Sequence, residues 1–211
     1  MNHGATPHRP SASSATGNPS PWNVPNLLTA ARLVLAIVVF VLIPRHAYFA
    51  ALVIFLFAAA TDWIDGYWAR RFGQVTQLGR IFDPFVDKII IAGAYICLVA
   101  QPGSGVPAWM AVVVVARELL VTALRSMVEG QGGDFSAKMA GKLKMVFQCG
   151  AVVASLAVLQ WGRPSATHAY GVSTESAWLA FTLNGFLWLS VISTVYSGAG
   201  YVSLAAKAMR K

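Results

Sequence analysis

Between Thr61 and Lys88 the chain reads TDWIDGYWARRFGQVTQLGRIFDPFVDK, and four of its eight acidic residues, Asp62, Asp65, Asp83 and Asp87, fall inside that stretch. Asp62 and Asp65 are spaced i, i+3, and Asp83 and Asp87 i, i+4. On helices, those spacings put each pair on one face. With a loop of about ten residues between the helices, antiparallel packing with the two faces opposed would bring four carboxylates to one depth. Left alone, they would repel one another and carry a desolvation cost near lipid. Divalent cations remove both objections. An all-oxygen ligand set is hard and suits Mg²⁺ or Mn²⁺, and the lack of Cys and His in the stretch argues against zinc. Two such ions about 3.5–4 Å apart are a recurring device for in-line displacement at phosphorus. Two other readings compete: a solvated network with Arg70, Arg71, Arg80 and Lys88, and a cation or proton relay, whose acids usually sit near mid-membrane on several helices. Gly66, Ala69 and Gly79 leave room for a ligand or a backbone to approach, though helix packing for the first two and a loop for the third explain them equally.

The elements that must position these groups are apolar. The aspartate stretch follows directly on YFAALVIFLFAAA, and the 211-residue chain is 56% hydrophobic but only 11% charged, against about 25% charged in soluble domains. The length suits one compact domain of several spans. Six apolar helices are predicted over 27–43, 47–70, 81–100, 107–127, 139–160 and 177–197, separated by the breakers IPRH, RFGQ, QPGSGVP, EGQGGDFS and WGRPSATHAYG. The predicted fold class is an all-α integral membrane bundle of six transmembrane helices, with a polar active-site cavity on the cytosolic side. Residues 1–21, rich in Ser, Pro, Ala and Gly, read as a disordered tail; 22–206 form the membrane domain and 207–211 a basic C-terminal tail. Cys97 and Cys149 lie in apolar runs and read as small packing residues rather than a disulfide or zinc ligands.

Charge orients the bundle. With both termini in the cytosol, inside segments hold Arg9, Arg70, Arg71, Arg80, Arg125, Lys138, Lys142, Lys144, Lys207, Arg210 and Lys211, eleven basic residues, against two outside, Arg45 and Arg163. This positive-inside bias explains the net charge of +8 more simply than a nucleic-acid partner does. It predicts a multi-pass protein of the cell or inner membrane with its active site facing the cytosol.

The pattern Asp62-x-x-Asp65-Gly66-x-x-Ala69-Arg70, eight residues, Gly79-x-x-x-Asp83-x-x-x-Asp87 resembles the signature of the CDP-alcohol phosphatidyltransferases at every fixed position. The resemblance implies six transmembrane helices, a divalent-metal site, a CDP-linked lipid donor and release of CMP. It implies Asp62, Asp65 and Asp83 as metal ligands, and Asp87 both at the metal site and as the general base toward the acceptor hydroxyl. It also implies Gly66, Ala69, Arg70 and Gly79 as the nucleotide site, with Asp62 touching it and Arg70 meeting phosphate. A metal on the bridging pyrophosphate would stabilise leaving CMP, and a nearby carboxylate would deprotonate the alcohol.

Four further segments, NVPNLLTAARL, VARELLVTALRSMVEG, FSAKMAGKLKMVFQ and TVYSGAGY, resemble the phosphatidylglycerophosphate synthase branch of that family. The implied acceptor is glycerol 3-phosphate and the implied product phosphatidylglycerol phosphate. A cardiolipin synthase using phosphatidylglycerol is the alternative within the family, and a small cation or proton transporter the alternative outside it. The candidate acceptor-phosphate ligands are Arg117, Arg125, Lys138, Lys142 and Lys144, because guanidinium and ammonium groups meet phosphate with charge-assisted hydrogen bonds. For Arg117, an ion pair with the neighbouring Glu118 competes; for the lysines, lipid headgroups or topology compete. Asn26, Thr29 and Arg32 share a face at i, i+3, i+6 and could reach the donor phosphates, or cap and snorkel. The four histidines lie in the tail or in loops on both sides and are given no role. The implied partners are CDP-diacylglycerol, glycerol 3-phosphate and membrane lipids, and a homodimer is left open.

Overall fold

The computed structural model describes residues 24–72, 77–130, 139–162 and 177–208. They form six helices and no strand: α1 (Val24–Leu42), α2 (Tyr48–Phe72), α3 (Gln77–Val99), α4 (Ala108–Gly130), α5 (Met139–Trp161) and α6 (Ala177–Ala208). Each predicted helix is present. The first connection turns at His46, at φ 59°, and the third at Gly103 and Gly105, at φ 85° and 70°, a left-handed backbone that glycine adopts without steric cost. The main departure is α6, which runs to Ala208 rather than stopping near 197. Gly198 and Gly200 lie inside this helix, and at Gly198 an added Cβ would stand 3.4 Å from the Arg117 side chain.

α1 and α6 each turn a narrow stripe inward, whereas α5 is buried on nearly every side between Ala151 and Val158. On α1 the buried residues are Thr29, Arg32, Ala36, Val39 and Ile43, just past its end, and on α6 they include Leu179, Leu183, Leu187, Ser190, Thr194, Ser197 and Tyr201. Both stripes advance by three or four residues, the seam that keeps one helical face on its neighbours. The outward faces are also apolar. Large exposed side chains include Val34 and Ile37 on α1, Val53 and Phe57 on α2, Ile96 on α3, Val112 and Leu119 on α4, Val146 on α5, and Phe181 and Ile192 on α6. Two helical stretches among the described residues are long and apolar enough to cross a membrane, Leu143–Trp161 and Ala177–Ser203, with mean hydropathy 1.6 and 1.5.

The helices form two four-membered groups that share α3 and α5. One group is α1, α2, α5 and α3; the other is α3, α5, α6 and α4. Along the lengths whose packing is described, α2 and α3 therefore lie against α1 and α5 more than against each other. The expected direct packing of the two aspartate helices concerns the ends that carry the aspartates, where most of the side chains lie outside the described residues. Polar rungs tie the second group: the Tyr95 and Ser190 hydroxyls lie 3.1 Å apart and Gln148 Nε2 donates to Thr194 Oγ1 at 3.3 Å.

α5 and α6 approach closely at Gly150, where an added Cβ would fall 2.5 Å from the ring of Phe186. Small residues permit such approach between apolar helices, where dispersion contacts hold the pair together. Gly150→Val should therefore lower the melting temperature in detergent, at a cost of about 1–3 kcal/mol for overpacking. Adding Phe186→Ala should recover most of the loss. Size-exclusion and thermal unfolding of the single and double variants check this.

Candidate functional site

Both halves of the aspartate motif are helical. Asp62 and Asp65 stand one turn apart on α2, and Asp83 and Asp87 one turn apart on α3. The expectations that rest on the side chains of Asn26, Asp62, Asp65, Gly66, Ala69, Arg70, Gly79, Asp83, Arg125, Lys138 and Lys142 lie outside the described residues. For the same reason, no group of three metal-ligating side chains occurs among the described residues.

Asp87 is the motif aspartate whose surroundings are described. Its side chain is 23% exposed and accepts a hydrogen bond from Arg32 Nη1 at 2.9 Å. Arg32 is itself 2% exposed, one turn beyond the buried Thr29. The polar face predicted on α1 therefore exists and turns inward, and its arginine meets the aspartate that resembles the family's base. A buried guanidinium in a charge-assisted hydrogen bond restricts the rotamers of the carboxylate. The partner was missed in the sequence, although a signal was present. An arginine eight residues into one apolar helix needs an opposite charge at matching depth, and Asp87 stands ten residues into α3 from the same end.

A second polar cluster lies on the other side of α3. Arg117 and Glu118 on α4 are 8% and 7% exposed, and Lys144 on α5 is 8% exposed. Arg117 Nη1 donates to Glu118 Oε1 at 3.3 Å, and Lys144 Nζ donates to the same oxygen. Arg117 Nη2 also donates to Ser197 Oγ at 2.6 Å, and its guanidinium lies 5.7 Å from the centre of the Tyr201 ring. The segment TVYSGAGY thus surrounds Arg117: Ser197 accepts from it, Gly198 makes room for its stem and Tyr201 offers a ring face. Half-buried Lys88, next to Asp87 in the chain, donates to Thr122 Oγ1, which in turn donates to the Glu118 carbonyl at 2.6 Å.

Of the predicted acceptor-phosphate cations, the structure brings Arg117 and Lys144 together on Glu118. The expected Arg117–Glu118 pair is present, but it is one arm of a larger network. Lys88 was expected only as a member of a network with the motif aspartates, and Thr122, Ser197 and Tyr201 were given no individual role. Serine and threonine give no sequence signal of this kind, because their importance comes only from the charge they face.

Adjacent residues of a helix point about 100° apart, so Asp87 and Lys88 direct α3 toward both clusters: Asp87 meets α1, and Lys88 meets α4. The arrangement offers a carboxylate held by an arginine on one side and a collection of cations on the other. That is a chemistry suited to removing a proton from an alcohol next to a bound anion.

The family model for CDP-alcohol phosphatidyltransferase matches residues 22–196. Among curated relatives, the CDP-diacylglycerol–glycerol-3-phosphate 3-phosphatidyltransferase of Bacillus subtilis is 34% identical over 204 residues, covering 90% of this chain and 98% of its own length. The enzyme of the same name from Escherichia coli K12 is 32% identical over 189 residues, 87% of this chain and 95% of its own. The one from Pseudomonas fluorescens is 42% identical over 113 residues, 52% of this chain and 58% of its own. A signature matched at every fixed position, set in six helices and extended by similarity over nearly the whole chain, places this protein in the CDP-alcohol phosphatidyltransferase family.

Proposed function

We propose that the protein transfers a phosphatidyl group from CDP-diacylglycerol to glycerol 3-phosphate, giving phosphatidylglycerol phosphate and CMP. The observation that carries this reading is the meeting of Arg117 and Lys144 on Glu118, beside a helix that also presents Asp87. Donor activation by itself does not require buried cations from α4 and α5; an acceptor that bears a phosphate does. The names of the full-length relatives, which specify glycerol 3-phosphate, support the same acceptor.

In this reading, the acceptor hydroxyl attacks the phosphatidyl phosphorus while the bond from that phosphorus to CMP breaks. Asp87 takes the hydroxyl proton, and Arg32 keeps the Asp87 carboxylate aimed. Arg117 and Lys144 bind the acceptor's phosphate through charge-assisted hydrogen bonds. Asn26, Thr29, Gly66, Ala69, Arg70 and Gly79 serve the donor: small residues admit the cytidine, and Arg70 meets phosphate. The donor set fits divalent metal, being four carboxylates at one-turn spacings on two helices, with Asp87 partly accessible. Asp62, Asp65, Asp83 and Asp87 would hold two Mg²⁺ or Mn²⁺ ions, which supply charge neutralisation of the pyrophosphate and of departing CMP.

The bundle works in a membrane as a six-span protein. Apolar outward faces on all six helices would be costly in water, and the eleven-to-two distribution of basic residues puts the aspartate ends of α2 and α3 in the cytosol. A cavity open sideways to lipid lets the diacylglycerol anchor stay in the bilayer while the charged groups meet in water.

Asp87→Asn should lose about 10²–10⁴-fold in turnover while retaining CDP-diacylglycerol binding better than Asp62→Asn or Asp65→Asn. CMP release and donor binding by the purified variants test this, and a residual rate above about a tenth of wild type would remove Asp87 as base. Arg117→Lys keeps the charge beside Glu118 but not the planar fork. It should lower kcat/KM for glycerol 3-phosphate about tenfold to a hundredfold and leave KM for CDP-diacylglycerol unchanged, as read by varying each substrate in turn. For topology, Gln74→Cys in a Cys97- and Cys149-free background should be labelled from the cytosolic face of sealed vesicles. Labelling from the opposite face alone would invert the arrangement.

A further inference from the structure

We propose that Glu118 and Thr122, one turn apart on α4, are positioning residues that gather Lys88, Arg117 and Lys144 into a three-cation cradle for the acceptor's phosphate. The proposal rests on the function argued above and adds what builds its anion site. The three cations come from three helices, α3, α4 and α5. Like charges brought together repel, so a structure that collects them needs a tie. Glu118 Oε1 accepts from both Arg117 and Lys144. Thr122 Oγ1 accepts from Lys88 and donates its own hydrogen bond to the Glu118 carbonyl. One turn of α4 therefore sets the spacing of all three cations.

A simple structural ion pair needs one cation for its carboxylate. Here two cations share one carboxylate oxygen and a third is drawn to the next turn, which concentrates positive charge rather than cancelling it. Arg117 is held independently by Ser197 on α6, so the particular work of Glu118 is to bring Lys144 to it. Glu118 cannot itself attract an anion, and its effect on a phosphate can only pass through the cations it holds. Burial grades across the cluster: Lys88 is half-buried, while Arg117, Glu118 and Lys144 are each less than 10% exposed. Cations deep in a low-dielectric wall act on a ligand with little screening.

The test uses the full-length protein in lipid nanodiscs with CDP-diacylglycerol. Glu118→Gln preserves shape and removes the charge. It should raise KM for glycerol 3-phosphate about tenfold or more, leave KM for CDP-diacylglycerol within about twofold, and abolish the thermal stabilisation that glycerol 3-phosphate alone gives the wild type. Glu118→Asp, which restores the carboxylate, should recover part of each loss. Thr122→Val, which removes the hydroxyl that accepts from Lys88 without changing shape, should raise the same KM severalfold and leave the other. A Glu118→Gln protein with unchanged or tighter glycerol 3-phosphate binding would overturn the proposal, since loss of negative charge alone favours the anion. If Glu118→Gln does not fold, Thr122→Val decides, and an unchanged glycerol 3-phosphate KM there overturns it. Failure of the underlying function would show separately, as a wild-type protein that neither binds nor consumes a phosphorylated alcohol, and would take the cradle with it.

Discussion

A charge inside an apolar helix bundle has few places to go. Water is excluded, lipid offers no hydrogen bonds, and an ion left alone costs several kcal/mol. Each charge set within these helices must therefore meet an opposite charge or a polar group at its own depth. Arg32 meets Asp87, Arg117 and Lys144 meet Glu118, and Lys88 meets Thr122. These meetings join α1 to α3, α4 to α5 and α3 to α4. The apolar packing of Ala36, Phe55, Ala94, Val114 and Val152 brings the helices together without directing which residue faces which. The ion pairs and hydrogen bonds are specific in geometry and set the register.

The same requirement explains why the chemistry gathers around α3. It belongs to both four-helix groups, with α1 on one side and α4 on the other. Consecutive residues on it, Asp87 and Lys88, consequently reach different groups. One helical backbone then holds a carboxylate and an ammonium group a fixed distance apart. The proposed reaction, which deprotonates a hydroxyl next to a phosphate, needs that rigidity, since small misplacements of reacting groups are costly in rate. The end of the bundle away from the aspartates is held differently. There Tyr48 donates to Gln101, the Phe49 amide to Gln160 and Ser155 to the Ser104 carbonyl. These are neutral contacts that fasten the loops and involve no charge.

TVYSGAGY shows how one segment can serve both packing and charge. Its two glycines suggest a helix end, yet α6 continues through it. Gly198 admits the arginine stem, and Ser197 and Tyr201 then engage the guanidinium. A glycine costs roughly 1 kcal/mol of helix propensity relative to alanine; the buried arginine, if it lost its contacts, would cost more. The packing requirement wins.

Much of this was legible before any coordinates. Apolar composition and breaker spacing are local properties, and they located all six helices. The i, i+3 and i, i+4 spacings of the aspartates follow from helical geometry alone, so membership of each pair in one face needed no fold. The family signature lies in one continuous segment and was readable for the same reason. What the sequence by itself could not determine was which helix lies beside which. Periodicity assigns a residue to a face but does not name the neighbour of that face. The pairing of Arg32 with Asp87 spans 55 positions, that of Lys144 with Glu118 spans 26, and that of Arg117 with Ser197 spans 80. Only the packing order, with α1 against both α2 and α3 and with α6 closing on α4 and α5, brought these groups within hydrogen-bonding distance. Glu118 reads in sequence as the neighbour of an arginine. It became the meeting point of two helices' cations because the tertiary structure placed Lys144 against it.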